Sequence, residues 1–108
     1  MEKGCDILID FEKIEWQKPF ENIRFKVFVK GNQQIRLLEF LEGYEEKEWC
    51  TKGHMGHVLE GEFTLYFKID KCRLKTGNVI HIPAGEENAH KAILKKGENV
   101  RLLLFEVL

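Results

Sequence analysis

Apolar and polar residues alternate along most of the chain. From Ile23 to Lys30, Ile23, Phe25, Val27 and Val29 share one parity and Arg24, Lys26 and Lys30 the other, the period of a strand with one buried face. Ile35 to Leu41, Val58 to Ile69, Val79 to Ile82, Lys91 to Lys95 and Val100 to Val107 are likewise rich in β-branched, aromatic or leucine residues. Turn signals separate them at Lys30-Gly31-Asn32, Glu42-Gly43, Asp70-Lys71, Thr76-Gly77-Asn78, Pro83-Ala84-Gly85 and Lys96-Gly97-Glu98, spaced as antiparallel hairpins require. The pattern predicts seven or eight short strands in an all-β sandwich or barrel. No window longer than about ten residues keeps helical spacing behind a cap, and the best helical candidate is a turn near Asp10 to Trp16.

Two of the predicted strands, Phe63-Thr64-Leu65-Tyr66-Phe67 and Leu102-Leu103-Leu104-Phe105, are apolar on both faces. A lone barrel of this size buries only one face, so a second copy covering the other is expected, and with it a homodimer.

The 108 residues hold one folding unit, with 44% hydrophobic residues and eight Phe to fill a single core. The net charge of -1, with Lys and Arg scattered, offers no basic stripe and argues against a nucleic-acid partner. No apolar run approaches the ~18 residues of a membrane span, and MEKGCDILID does not read as a secretion signal, so neither membrane nor export is expected and a cytoplasmic location is. Cys5, Cys50 and Cys72 are odd in number and widely spaced, and reduced thiols are expected.

Two stretches carry a resemblance. The run His57-Val58-Leu59-Glu60-Gly61-Glu62-Phe63 is similar to the first motif of the cupin superfamily. The run from Leu74 to Gly85 resembles the second, with Gly77, five residues, Pro83, one residue, and Gly85 in the family spacing. The resemblance covers roughly residues 43 to 92 and implies an antiparallel double-stranded β-helix, or jelly-roll, of small single-domain type. Residues 1–108 then form one domain, with a barrel core over about 20–108 and segment 1–19 packing on the barrel or at a dimer interface.

In cupins the first motif supplies His-x-His and a Glu, the second a His, all aimed into the barrel at one metal ion. Carried onto this chain from Gly61, the Glu position falls on His54 and the His-x-His pair on Glu48 and Cys50. The second-motif position falls on Asn88, and a loop two residues longer brings His90 within reach. The resemblance therefore implies a metal site of Cys50, His54 and His90 with Glu48 as a fourth group. Such a soft N/S set suits zinc or iron, with manganese behind them. Residues 48, 50 and 54 share parity on an extended strand.

Each residue also has a plainer reading. Cys50 is either a ligand or a small buried hydrophobe. His54 and His90 line the pocket or merely hydrogen-bond within it, while His57 and His81 read as structural. Glu45-Glu46 and Glu86-Glu87 read as solvated loop charges, with Glu87, bordering the second motif, the better candidate for a catalytic acid or base. Trp49 alternates with Cys50 and is expected to face away from the pocket. Two functions stay open: a metal-dependent enzyme acting on a small polar molecule, and a non-enzymatic binding or sensing module without metal.

Overall fold

The computed structural model describes residues 7–108. Nine strands follow in order: β1 (Gln17–Phe20), β2 (Ile23–Lys30), β3 (Gln33–Phe40), β4 (His54–Gly61), β5 (Phe63–Phe67), β6 (Lys71–Leu74), β7 (Val79–Ile82), β8 (His90–Ile93) and β9 (Val100–Val107). They build a six-stranded sheet, β1-β2-β3-β9-β4-β7, and a three-stranded sheet, β6-β5-β8, antiparallel throughout. This is the all-β architecture that the alternation predicts, in the jelly-roll form that the resemblance implies.

Two strands lie outside the sequence expectation, β1 and β6, and both are sheet edges. The single apolar run expected from Val58 to Ile69 is divided at Gly61, where the chain leaves one sheet for the other. Gly61 has a φ of +89°, and a side chain there would collide with the Asn99 carbonyl, so only glycine fits. The helical candidate is one 3-10 turn, Phe11–Lys13, with the Asp10 carboxylate accepting the Glu12 N–H at 3.0 Å. Cys5 lies outside the described residues.

The core comes from the inward parity of each strand: Leu38 and Phe40 of β3, Val58 of β4, Phe63 and Leu65 of β5, Ile80 and Ile82 of β7, Ala92 of β8, and Val100, Leu102 and Leu104 of β9. Pairing sets these side by side, with Leu38 opposite Leu102 and Phe40 opposite Val100. On β4, Gly56 lies opposite Leu104, and a Cβ there would stand 2.6 Å from the Leu104 side chain.

The outer side of the large sheet has two regions. At one end Glu39, only 7% exposed, is held between Arg24 at 2.6 and 2.8 Å and Arg101 at 3.2 Å. Trp16 stacks 4.0 Å from the Arg24 guanidinium, and Lys26 donates to the Phe11 carbonyl at 2.6 Å, fastening the segment before β1 along β2. Elsewhere the face leaves Met55, Val79, Phe105 and Val107 exposed. Among the described residues no helix is long and apolar enough to cross a membrane.

Candidate metal centre

Between the sheets lies a cavity of about 330 Å³. Its walls are the core side chains Leu38, Phe40, Phe63, Leu65, Ile80, Ile82, Leu102 and Leu104, and its polar lining includes Arg36, Glu46, Cys50, His54 and His90.

The inward rows explain these polar positions. His54 precedes Gly56 and Val58 in the inward row of β4. Glu106 follows Leu104 in that of β9, and Gln34 and Arg36 precede Leu38 in that of β3, with Gln34 paired to Glu106 and Arg36 to Leu104. Cys50 belongs to no strand. An isolated bridge holds it, its N–H donating to the His90 carbonyl at 2.9 Å and its carbonyl accepting the His90 N–H at 3.0 Å.

Cys50, His54 and His90 thus converge, their ligand atoms all within 4.8 Å of one another. Cys50 Sγ stands 3.6 Å from His54 Nε2, and the two imidazole centroids are 5.2 Å apart. Both rings are fixed from behind. His54 Nδ1 lies 2.7 Å from Glu106 Oε2, with the oxygen off the N–H axis, so the contact is an ion pair rather than a well-directed hydrogen bond. His90 Nδ1 is 3.0 Å from the Asn88 carbonyl, which only accepts, so Nδ1 carries the hydrogen and Nε2 is left free. Glu106 in turn accepts from Arg36 Nε and Nη2, each at 2.7 Å, and from Gln34 Nε2 at 2.9 Å.

The charges follow from this wiring. Hydrogen bonds from His54 and then His90 lower the Cys50 thiol to about 5, against a burial penalty. Burial alone would lower His54, yet Cys50 and Glu106 together raise it to about 9. His90 is raised in the same way by Cys50 and the Asn88 carbonyl over an opposing burial effect. Burial pushes Glu106 up, but His54, Arg36 and Gln34 outweigh it and hold the carboxyl well below the usual range. Glu46 moves the other way: burial raises it, although its Oε1 accepts the Ala92 N–H at 2.9 Å.

One sulfur and two imidazole nitrogens are the donor types of zinc and ferrous sites. With bonds of ~2.3 Å to sulfur and ~2.05 Å to nitrogen, two corners of a tetrahedron stand ~3.6 Å apart, the separation found between Cys50 Sγ and His54 Nε2, while the donor separations of the whole set extend to 4.8 Å. Each imidazole also has the acceptor behind it that ligating histidines use to fix their tautomer.

The two carboxylates of the sequence expectation stand elsewhere. Glu48 is exposed along an outer groove with Glu45 and Lys47, because residues 45–53 form irregular chain in which strand parity does not hold. Glu87 is exposed in a 3-10 turn, Glu86–Asn88, its carboxylate folded back over Gly85. His57 and His81 are exposed on the outer side of β4 and β7. Trp49 packs outside between the Lys68 and Lys91 ammonium groups, at 4.8 and 4.9 Å. Sequence reasoning takes Glu46 for a solvated loop charge, whereas the structure half-buries it in the cavity wall, and misses Arg36 and Glu106. The last two were signalled by parity, since 106 continues the row 100, 102, 104 and 36 begins the row 38, 40.

No family model matches the sequence, and no curated protein matches it significantly. Solved structures do match the fold. An RmlC-like cupin from Shewanella frigidimarina superimposes with a TM-score of 0.75 at 16% identity, over 92% of this chain and 87% of that one. The polyketide cyclase RemF from Streptomyces resistomycificus gives 0.76 at 14%, over 91% and 76%. A sugar phosphate isomerase of the cupin superfamily from Silicibacter pomeroyi gives 0.76 at 14%, over 94% and 75%. Agreement of this kind over nine-tenths of the chain shows that the protein has the cupin fold.

Proposed function

We propose that the protein is a metal-dependent cupin enzyme acting on a small molecule, with one zinc or ferrous ion held by Cys50, His54 and His90 at the edge of the barrel cavity. The observation that carries this reading is the convergence of one sulfur and two imidazoles within 4.8 Å beside a cavity of about 330 Å³. Buried polar groups cost free energy unless they are paired, and a core has no need of three ligand-type side chains aimed at one point. The soft donors favour zinc or iron over manganese, which prefers oxygen.

When bound, such an ion supplies a Lewis acid with a coordination position left over for a ligand. The chain supplies the rest. Glu106 and the Asn88 carbonyl orient the two imidazoles, and Glu46 is the carboxylate placed in the cavity wall to take or give a proton. The cyclase and the isomerase of the same fold are enzymes by their names, which supports an enzyme here without specifying its reaction. A homodimer belongs to the same reading, supported by Met55, Val79, Phe105 and Val107 exposed on the outer sheet face.

Elemental analysis of protein purified without a metal-binding tag tests the proposal. About one zinc or iron per chain is expected, lost in Cys50→Ser, His54→Ala and His90→Ala and kept in Glu48→Gln and Glu87→Gln. Protein that arrives metal-free and refuses added zinc and ferrous iron refutes it, and stabilisation by an organic ligand alone would then favour the binding module.

A further inference from the structure

We infer that the substrate is a molecule with an apolar body and a single acidic or metal-coordinating head, of the class of medium-chain or aryl carboxylic acids, and not a polyhydroxylated sugar. The inference rests on the metal reading for the placement of the head, and on the cavity alone for the nature of the body.

Most of the cavity wall is hydrocarbon. Leu38, Leu65, Ile80, Ile82, Leu102 and Leu104 present no hydrogen-bonding group, and a stacked Phe40–Tyr44 pair at 4.8 Å adds an aromatic surface. Several of the polar groups that reach the cavity are already bonded within the protein. Arg36 Nε and Nη2 are taken by Glu106, His90 Nδ1 by Asn88, and Glu46 Oε1 by the Ala92 N–H. A sugar would bury several hydroxyls against this wall, and each one left unpaired weakens binding by about tenfold.

Besides Glu46 Oε2 and the Tyr44 hydroxyl, two cationic groups remain open to a ligand. Arg36 Nη1 makes no bond to Glu106, and Lys52 is exposed where it borders the cavity. They line the same cavity as the Cys50–His54–His90 centre, and we assign the head group to that polar end. An anionic head satisfies it, while the hydrocarbon wall takes the rest of the molecule, at a volume within the range of small-molecule sites.

A chain-length series tests this. Butanoate, hexanoate and octanoate share a head and differ only in apolar length, so cavity burial tightens binding by about fourfold per methylene, or about fifteenfold per step of the series. Affinity is read by calorimetry on zinc-loaded protein, and on metal-free wild type by protection of Cys50 from iodoacetamide, with exposed Cys72 as internal reference. Glucose 6-phosphate is the sugar probe, and metal content is measured on the same samples. A climbing series that protects Cys50 but not Cys72, flattened in Ala92→Leu, is the expected result. A flat series on protein that holds zinc, or tighter binding of glucose 6-phosphate, overturns the substrate class and leaves the metal reading standing. A climbing series on protein that refuses metal overturns the metal reading and supports the apolar body.

Discussion

Glu106→Gln separates a site that is built from one that is merely crowded. The Glu106 side chain is 8% exposed, and its two oxygens take four contacts of 2.7 to 2.9 Å from Arg36, Gln34 and His54. Glutamine keeps the shape but has one oxygen. If its NH₂ faces His54, Nδ1 must accept, the ring hydrogen moves to Nε2, and the lone pair aimed at Cys50 is lost. If the NH₂ faces Arg36, two donors oppose each other. Loss of an outer partner to a ligating histidine typically costs 10–100-fold in metal affinity, or about 1.4–2.7 kcal/mol. Breaking a buried ion pair costs about 3–5 kcal/mol. Because the Arg36 side chain is 21% exposed and keeps one acceptor, about 2 kcal/mol of folding stability is the expected loss. Zinc affinity by competition with a chromophoric chelator and stability by urea unfolding read the two effects apart. Glu39→Gln is the control, since Glu39 is as buried between Arg24 and Arg101 on the opposite face of the sheet and should lose stability alone. Zinc affinity within twofold of wild type in Glu106→Gln, or an equal loss in Glu39→Gln, refutes the reasoning.

Cys50 titrates low in the fold, at about 5, so its contribution is present above its unfolded value of ~8.5 and is lost as pH falls through about 5. His54, raised to about 9, contributes fully below its unfolded value of ~6.5 and loses that contribution as pH rises through about 9. In metal-free protein the urea-midpoint gap between wild type and Cys50→Ser should therefore widen from about pH 5 to ~6.5 and then level off, as each further gain from the thiol is offset by the proton His54 must hold. A gap constant from pH 5 to 6.5 would show that the thiolate–imidazolium pair does not form. For the outer sheet face, light scattering should give twice the chain mass for wild type and the single mass for Phe105→Lys, whereas a monomeric wild type would remove the dimer.

The fold was legible wherever one strand face is buried and the other is not. β1 and β6 escaped because they bury no alternating face, unlike the edge strands β7 and β8, which do. β1 is exposed throughout and contains Pro19, and of Lys71-Cys72-Arg73-Leu74 only Leu74 is buried, so neither has an apolar face to produce a period of two. Within the run Val58 to Ile69 the strand Phe63 to Phe67 was legible, but no turn signal was read at Glu60-Gly61-Glu62, where the chain crosses from one sheet to the other. Likewise 48 and 50 share parity only in a strand, and the segment that carries Cys50 is held by bridges instead. Glu46 and Glu48, alike on paper, both border the outer groove, but only Glu46 also reaches the cavity wall.

The inward rows make the strongest argument that the polar end of the barrel is functional. Three adjacent strands turn polar at the same end of the barrel: Glu106 gives way to Leu104 and Leu102 on β9, His54 to Gly56 and Val58 on β4, and Gln34 to Leu38 and Phe40 on β3 after one further polar row, Arg36, which stands opposite Leu104. For stability alone, hydrocarbon at those levels is the simpler solution, since replacing a buried ion network by well-packed apolar side chains is often neutral or stabilising. A chain that instead places a carboxylate, a guanidinium and an amide behind one imidazole uses them to set the position and charge of His54, and through it the pair His54 forms with Cys50. The lowered thiol and the raised imidazole are the electrostatic consequence of that placement, and a metal ion or a reacting ligand is what such a pair is suited to meet.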